Sequence, residues 1–127
     1  MPAATTELQS AIYSALTGAG LTVYDAVPEN AGFPYVTIGY SQESPDDTHT
    51  SRGRQIISTI HVWSRYPGAK EIKDMAATII STLDRASFTL ANWRHVYTLF
   101  DSATYLQDPD GITRHAVVEF RSLLQQA

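Results

Sequence analysis

A four-residue segment in the last quarter of the chain limits the possible folds more than any other feature of the sequence. This segment is Asp108-Pro109-Asp110-Gly111. Pro and Asp suit the centre of a type I turn, and Gly suits the following position, which needs a positive φ. The segment lies between two runs that resemble strands, Trp93 to about Leu106 and Ile112 to Leu124. The sequence therefore predicts an antiparallel hairpin here.

Two further segments carry apolar residues at helical spacing. They are Thr6–Thr17 and Ala69–Asp84, and each predicts one helix. In the first, Thr6 and Gln9 have the spacing of a capping box, in which each side chain bonds a backbone amide at the helix start. Gly18-Ala19-Gly20 predicts the end of this helix. The segment that follows it, residues 21–24, is extended in either a short strand or a link.

Between the helices, alternating apolar residues predict two strands. The first is Tyr35–Glu43, in which Val36, Ile38 and Tyr40 should share one face; the second is Arg54–Ser64. The element order indicates an α+β fold, in a single domain of residues 1–127. We expect a four-stranded, largely antiparallel sheet made of two hairpins, with both helices packed on one face.

Composition excludes several classes of function. Thirteen acidic and nine basic residues give a net charge of −4, which argues against duplex binding by clustered Lys and Arg. The absence of Cys excludes disulfides and thiolate metal sites. No stretch approaches the ~20 apolar residues of a membrane span, and the first residues lack a signal-peptide pattern. We therefore expect a protein made and kept in a cytoplasm, without membrane contact.

Sequence motifs that indicate catalysis, metal binding or cofactor binding are also missing. His49 lies near Asp46 and Asp47, but no other ligand has a recognisable spacing, so a metal site there is disfavoured. Asp108, Asp110 and Glu119 have part of the spacing of a calcium loop, which fails at its central positions. No phosphate-binding glycine loop or nucleophile elbow is present. We expect no catalytic residue, cofactor or metal, and therefore no enzyme.

Two helices can cover only one face of such a sheet, and the other face carries more apolar residues than water contact would favour. On the returning strand this face includes Ile57, His61 and Trp63. On the last strands it includes either Tyr97 with Leu99 or Val96 with Phe100, and either Val117 with Leu123 or Val118 with Phe120. An apolar surface of this kind is typical of a protein contact. Loops of the same chain that fold over it are the alternative.

The loop Ser44–Gly53 is longer than a hairpin turn requires, and long loops often carry function. We expect it to contact another protein or to line a lumen, although a merely solvated loop is the alternative. The predicted contact residues fall into two groups. The loop group is Ser44, Asp46, Asp47, His49, Arg52 and Arg54, and the sheet group is Ile57, His61, Trp63 and Tyr97.

Four segments together resemble the tail-completion, or tail-terminator, proteins of long non-contractile phage tails and of gene transfer agents. They are Leu8-x-x-Ala11-Ile12-Tyr13-x-Ala15-Leu16, Phe33-Pro34-Tyr35-Val36-Thr37-Ile38-Gly39, His61-Val62-Trp63-Ser64-Arg65 and Asp108-Pro109-Asp110-Gly111-x-Thr113-Arg114-His115-x-Val117-Val118-x-Phe120-Arg121. The resemblance covers almost the whole chain, and the last motif is the most specific. Ala116 departs from it, because Gly is expected there.

The resemblance implies a small α/β fold that assembles as a hexameric ring on the head-proximal end of the tail tube. Such a ring stops tube polymerisation and meets the head connector, or stopper, protein, and DNA crosses its lumen without specific binding. The protein would pass from the host cytoplasm into the finished particle. Two alternatives remain open at this point. One is another neck component, such as a stopper or head-completion protein, and the other is a small α+β enzyme or ligand-binding domain.

Overall fold

The computed structural model describes residues 3–127 of the chain. Its elements follow one another as α1 (Ala4–Gly18), β1 (Val23–Tyr24), β2 (Tyr35–Pro45), β3 (Gly53–Ser64), α2 (Lys70–Leu83), β4 (Trp93–Gln107) and β5 (Arg114–Gln126). The strands form one sheet in the order β1-β2-β3-β5-β4. Only the β1–β2 pair is parallel, so the predicted α+β fold with a largely antiparallel sheet is confirmed.

One hydrophobic core joins the two helices to one face of the sheet. Leu8, Ile12 and Leu16 of α1 follow a spacing of four residues, so they form a single buried stripe. The buried residues of α2 form a second stripe in the same way. Both stripes pack on sheet residues that alternate along the strands, chiefly Val36, Ile38, Ile56, Ile60, Val62, Ala116, Val118, Phe120 and Leu124. The predicted placement of both helices on one face is therefore confirmed.

The predicted turn is present between β4 and β5. The Gly111 amide donates to the Asp108 carbonyl oxygen at 3.0 Å, and Gly111 has a φ of 74°. Asp110 Oδ1 accepts hydrogen bonds from the amides of Ile112 and Thr113, both at 2.8 Å. These bonds to the ionised form hold the pKa of Asp110 below its usual range. The turn then sets a regular antiparallel ladder in which Gln107 pairs with Arg114.

Within residues 3–127 the sheet has five strands, one more than the two predicted hairpins, because the segment after α1 is a short strand and not a link. Val23 and Tyr24 pair with Val36 and Thr37, because the segment after α1 runs beside β2 before it turns away. The prediction that Tyr40 shares a face of β2 with Val36 and Ile38 is also wrong. A register shift between Ile38 and Ser41 inserts an extra residue, so Tyr40 does not join Val36 and Ile38 but stands 69% exposed.

The predicted capping box on α1 is wrong. The helix starts at Ala4, before Thr6, and its N-cap Ala3 has no side-chain cap. The Gln9 amide instead donates to Asp25 Oδ1 at 3.0 Å. The Glu7 carboxylate accepts from the backbone and side-chain amides of Asn92, at 2.9 and 2.8 Å. These bonds lower the pKa of Glu7 and attach α1 to the segment before β4.

Candidate protein–protein interface

We call the sheet face opposite the helices the outer face. Ile57, His61 and Trp63 lie on it, because they alternate along β3 with the buried Ile56, Ile60 and Val62. Tyr97 lies on it too, since it pairs with Leu123 and points with it to the same side of the sheet. All four predicted sheet residues are half-buried. The structure therefore places them together on a face that the helices do not cover.

Three rings form an aromatic cluster at one end of the outer face. Trp63 pairs with His115 across β3 and β5, and their rings stack with centroids 4.3 Å apart and planes 17° apart. The His61 ring is stacked on that of Trp63, with centroids 5.8 Å apart, and is tilted by 35° to that of His115, with centroids 5.6 Å apart. The cluster combines aromatic and polar groups, which is typical of contact sites between proteins.

Hydrogen bonds hold two rings of the cluster in place. The Trp63 indole Nε1 donates to Thr37 Oγ1 at 3.1 Å, across β3 and β2. His115 Nδ1 lies 3.1 Å from Asp108 Oδ1, at the start of the turn that joins β4 and β5. Because these partners belong to neighbouring strands and the turn, the orientation of both rings depends on the register of the sheet.

The third ring, that of His61, is held by packing alone. Among residues 3–127 its Nδ1 atom has no hydrogen-bond partner, although that atom is buried. Desolvation by burial lowers the pKa of His61, and the nearby His115 lowers it further. The neutral ring lies directly against Gly39, where a Cβ atom would stand 2.6 Å from His61 Cδ2. Gly39 therefore creates the space that His61 occupies.

Ile57 and Tyr97 lie at the opposite end of the outer face from this cluster. Ile57 pairs with Arg121, which pairs in turn with Leu99, and Tyr97 pairs with Leu123. Of the alternatives left open for the last strands, Tyr97 with Leu99 and Val117 with Leu123 are therefore the sets on the outer face. Arg121 Nε is buried and has no hydrogen-bond partner among residues 3–127. The end of the face near the β2–β3 loop thus combines apolar side chains with a guanidinium group.

The loop between β2 and β3 is shorter than expected. Ser44 lies in β2 and Arg54 in β3, so the connection consists of residues 46–52 and the boundaries Ser44–Gly53 are wrong. The ladder continues to the end of the strands because the Asp46 amide donates to the Gly53 carbonyl oxygen at 2.9 Å. A Cβ atom on Gly53 would stand 2.4 Å from the Asp46 carbonyl oxygen. Only glycine fits this close approach of two backbones.

The predicted loop residues divide into a tethered group and an exposed group. Arg54 lies 3.2 Å from Glu43 and 3.6 Å from Asp47, and Asp47 Oδ1 also accepts the Gly53 amide at 3.0 Å. The Arg52 carbonyl oxygen accepts the amide of Gln126 at 2.8 Å, which attaches the loop to the end of β5. The side chains of Asp46, Asp47, His49 and Arg52 are all exposed, and of these four that of Asp47 is the tethered one.

The sequence interpretation missed three outer-face residues that the structure brings next to the predicted ones: His115, Leu106 and Arg121. His115 and Leu106 could have been found, because they flank the predicted turn and a regular hairpin places them opposite each other. The proximity of His115 to Trp63 has no signal in a single sequence, since it depends on how β5 pairs with β3.

Two features are absent from residues 3–127. No group of three or more His, Cys, Asp or Glu side chains is arranged to hold a metal ion within that range. No helix in the same range has the length and apolar character needed to cross a membrane.

Known proteins resemble this chain in both sequence and fold. The family described as "Tail completion protein gp17" matches residues 8–125. The tail completion protein gp17 of Bacillus phage SPP1 is 28% identical over 89 residues, which cover 70% of this chain and 66% of the phage protein, just under two thirds of its length. A chain from the solved structure "Virion of native gene transfer agent (GTA) particle" superimposes with a TM-score of 0.88 at 26% identity, over 98% of this chain and 99% of that one.

These similarities confirm the resemblance that the four sequence motifs indicated. The family consists of structural tail components, so the prediction that the chain is not an enzyme is also confirmed. With the family match extending over nearly all of its length, the chain belongs to the tail completion protein gp17 family.

Proposed function

We propose that this protein forms a ring of six copies at the head-proximal end of a phage-type tail tube, where it ends tube polymerisation and joins the tail to the head connector. The observation that carries the proposal is the match over 98% of this chain to a chain of a gene transfer agent virion, in the same fold. The protein acts in the host cytoplasm during assembly and then remains at the head-proximal end of the tail.

Termination requires a ring with two unlike surfaces. A tail tube grows because the end of each ring is a heterologous surface that binds the next ring. A terminator binds that surface and offers a different one to the head connector. The outer face and the loop at residues 46–52 are two candidate surfaces of unlike chemistry: the first carries stacked aromatic rings, and the second carries exposed polar side chains.

The charge balance fits passage of DNA through the ring. The chain has a net charge of −4, and residues 1–51 contain no Lys or Arg. Tight binding to DNA depends on the release of counterions by clustered basic side chains. A lumen lined by this chain would therefore let DNA pass without holding it. The partners proposed here are the tail tube protein, the connector protein and further copies of the chain.

Electron microscopy of particles that lack the protein tests the proposal. We expect filled heads without tails, together with free tubes of uncontrolled length, and we expect added purified protein to restore joining. The particle with the protein should show six copies in one ring at the tail end next to the head. Tails of normal length that are attached to heads in the absence of the protein would contradict the terminator role. Normal free tails with tailless heads would instead indicate a different neck component.

A further inference from the structure

The two edges of the sheet differ from each other, and each is only partly covered. At one edge β1 pairs with Val36 and Thr37 of β2, which leaves Gly39–Pro45 on the outside. We call this stretch the β2 edge segment. At the other edge, β4 pairs with β5 on one side only. An open strand edge presents backbone groups that can pair with another chain.

The edge of β4 that faces away from β5 is capped over part of its length. The Arg85 amide donates to the Thr98 carbonyl oxygen at 2.7 Å, and the Phe100 amide donates to Asp84 Oδ1 at 2.8 Å. Beyond this cap, Asp101–Gln107 forms the β4 edge segment. Within residues 3–127, the backbone of Asp101–Leu106 makes no hydrogen bond to any element other than β5. The accessible part of β4 is therefore its second half.

Strand directions allow the two edge segments to pair between identical copies. Each step from β2 to β3, from β3 to β5 and from β5 to β4 is antiparallel, so β4 runs opposite to β2. Rotation about a ring axis brings β4 of one copy beside β2 of the next, and the ladder continues in the antiparallel sense. Each copy then uses two different edges, which is a heterologous contact that a rotation can close into a ring.

An acidic side chain of the β2 edge segment and a basic α2 side chain beside the β4 edge segment both lie on the helix side of the sheet. Glu43 lies on the helix side of the β2 edge segment, because it pairs with the buried Ile56. Within its own copy its carboxylate accepts a hydrogen bond from Thr5 Oγ1 and lies 3.2 Å from Arg54, so a contact with Lys73 would add to these. Lys73 Nζ lies 5.6 Å from the ring centroid of Tyr105, which is on the helix side of the β4 edge segment opposite the buried Ala116. Asp101 is the only acidic residue in the β4 edge segment, and it lies at the start of that segment, four residues before Tyr105.

We infer that the β4 edge segment of one copy pairs with the β2 edge segment of the next copy, with Lys73 facing Glu43 across the contact. The open segments lie at opposite ends of the sheet, so neighbouring copies are staggered along the strand direction, and the strands are tilted to the ring axis, as in a closed barrel. Tyr40 and Tyr105, which are 69% and 38% exposed, are covered by the contact. This inference rests on the proposed ring and identifies the surface through which its copies associate.

Cysteine crosslinking tests the contact directly, because the chain has no Cys of its own. Gln42→Cys and Thr104→Cys are introduced together; both side chains are exposed and lie on the outer face, opposite Ile57 and Val117. Within one chain they are on opposite edges, so a disulfide can form only between copies. After oxidation, assembled tails should give a ladder of covalent multimers that ends at six and collapses on reduction. Pairs with Tyr40→Cys or Ser44→Cys in place of Gln42→Cys cover the neighbouring registers.

The controls distinguish the proposed edge contact from the proposed ring, so that each can fail independently. Each single Cys variant should stay monomeric on a denaturing gel, and Gln42→Cys with Ser14→Cys should give no ladder, because Ser14 is exposed on α1, on the helix side of the sheet. Rings seen by microscopy without a ladder from any of the three pairs would overturn the edge contact and leave the ring standing. The absence of rings from tails that carry the unmodified protein would overturn the proposed function.

A charge exchange provides a second measurement that does not depend on disulfide geometry. Lys73→Glu should lower the number of joined particles at least about tenfold, because it places two carboxylates opposite each other. Glu43→Lys should lower it as well, in part because it breaks the ion pair with Arg54 inside the copy, and the double variant should recover the part of the loss that arises between copies. Circular dichroism of each variant checks that the fold is intact. A double variant that is no better than the weaker single variant would contradict the pairing of Lys73 with Glu43.

Discussion

The indole of Trp63 stacks on the imidazole of His115 with 4.3 Å between the ring centroids and 17° between the planes. The two residues are direct partners across β3 and β5. Because His115 also bonds Asp108, the stack connects the centre of the sheet to the turn between β4 and β5. A side chain in this position contributes to stability through packing and remains accessible to another protein.

We expect Trp63→Ala to reduce both stability and assembly. The substitution removes the stack and the hydrogen bond to Thr37, so the free energy of unfolding should fall by about 1–3 kcal/mol, less than for a fully buried Trp. Assembly should fall further than the unfolded fraction explains, because the outer face loses its largest ring. Urea unfolding and counts of joined particles measure the two effects. Trp63→Phe keeps the ring packing and should recover most of the stability; unchanged particle counts for Trp63→Ala would contradict the interface.

Gly39 and His61 should be energetically coupled. Gly39→Ala places a methyl group against the His61 ring, and since the ring also packs on Trp63, the free energy of unfolding should fall by about 1–3 kcal/mol. In a His61→Ser background the same methyl group fills space that the ring has left, so its cost should be much smaller. A double-mutant cycle by urea unfolding measures the coupling. Costs that simply add in the double variant would show that His61 does not occupy that space.

Stability should fall as the pH drops from about 7 to about 5. Burial lowers the folded-state pKa of His61 and of His95 below the usual 6.5, so the unfolded state binds more protons in this range. Stability contributed by the neutral rings is therefore present above pH 6.5 and lost as the pH falls. Glu7 and Asp110, whose pKa values are lowered from 4.5 and 3.8, act only in more acidic solution.

Urea unfolding across this pH range checks the expectation. His61→Gln should make the free energy of unfolding less dependent on pH, and His61→Gln with His95→Gln should make it nearly flat. His49→Gln changes an exposed loop residue and is the matched control for the substitution itself. A pH dependence that persists unchanged in the double variant would refute the assignment to these two rings.

The parts of the fold that could be predicted from the sequence depend on local signals. The turn at Asp108–Gly111 has a preference that its own residues determine, and the helical stripes follow from spacing alone. The extra residue in β2 near Tyr40 could not be predicted, because a bulge depends on the strand opposite. The predicted capping box on α1 is wrong for a related reason, since it depends on contacts that are distant in sequence. Gln9 bonds Asp25, and Glu7 bonds Asn92.

The candidate interface could be predicted only in part, for a similar reason. Alternation along β3 indicates which residues share a face, so Ile57, His61 and Trp63 could be grouped correctly. The pairing of β3 with β5 joins distant segments, and a single sequence contains no information on that register. His115 was therefore missed as the partner of Trp63, although it was visible as a residue next to the turn.

Gly111→Val should destabilise the fold through the backbone. Gly111 has a φ of 74°, a conformation that costs a β-branched residue about 1 kcal/mol or more. Urea unfolding should show this loss with an unchanged dependence on urea concentration. Gly32→Val is the control, because Gly32 has open space around it and no positive φ. Equal losses for the two variants would mean that the turn does not require glycine.

The loop between β2 and β3 should be needed for assembly and not for folding. Replacing Asp47–Arg52 with Asn-Gly closes the hairpin with a two-residue turn, for which this dipeptide is well suited. The change removes the Arg54–Asp47 ion pair and the Arg52–Gln126 hydrogen bond, but Arg54 keeps Glu43 at 3.2 Å. Because partly exposed ion pairs contribute at most about 1 kcal/mol, the free energy of unfolding should fall only slightly.

The shortened protein should therefore fold and fail to join tails to heads, because it lacks the polar side chains of Asp47–Arg52 that we expect to contact the tube, a neighbouring copy or the lumen. Circular dichroism with urea unfolding measures the fold, and microscopy with counts of infective or gene-transferring particles measures assembly. Asp47→Ala is the matched control, since it removes the ion pair and keeps the loop at full length. Normal particle counts for the shortened protein would mean that the loop is only solvated, and would leave the outer face and the sheet edges as the candidate contact surfaces.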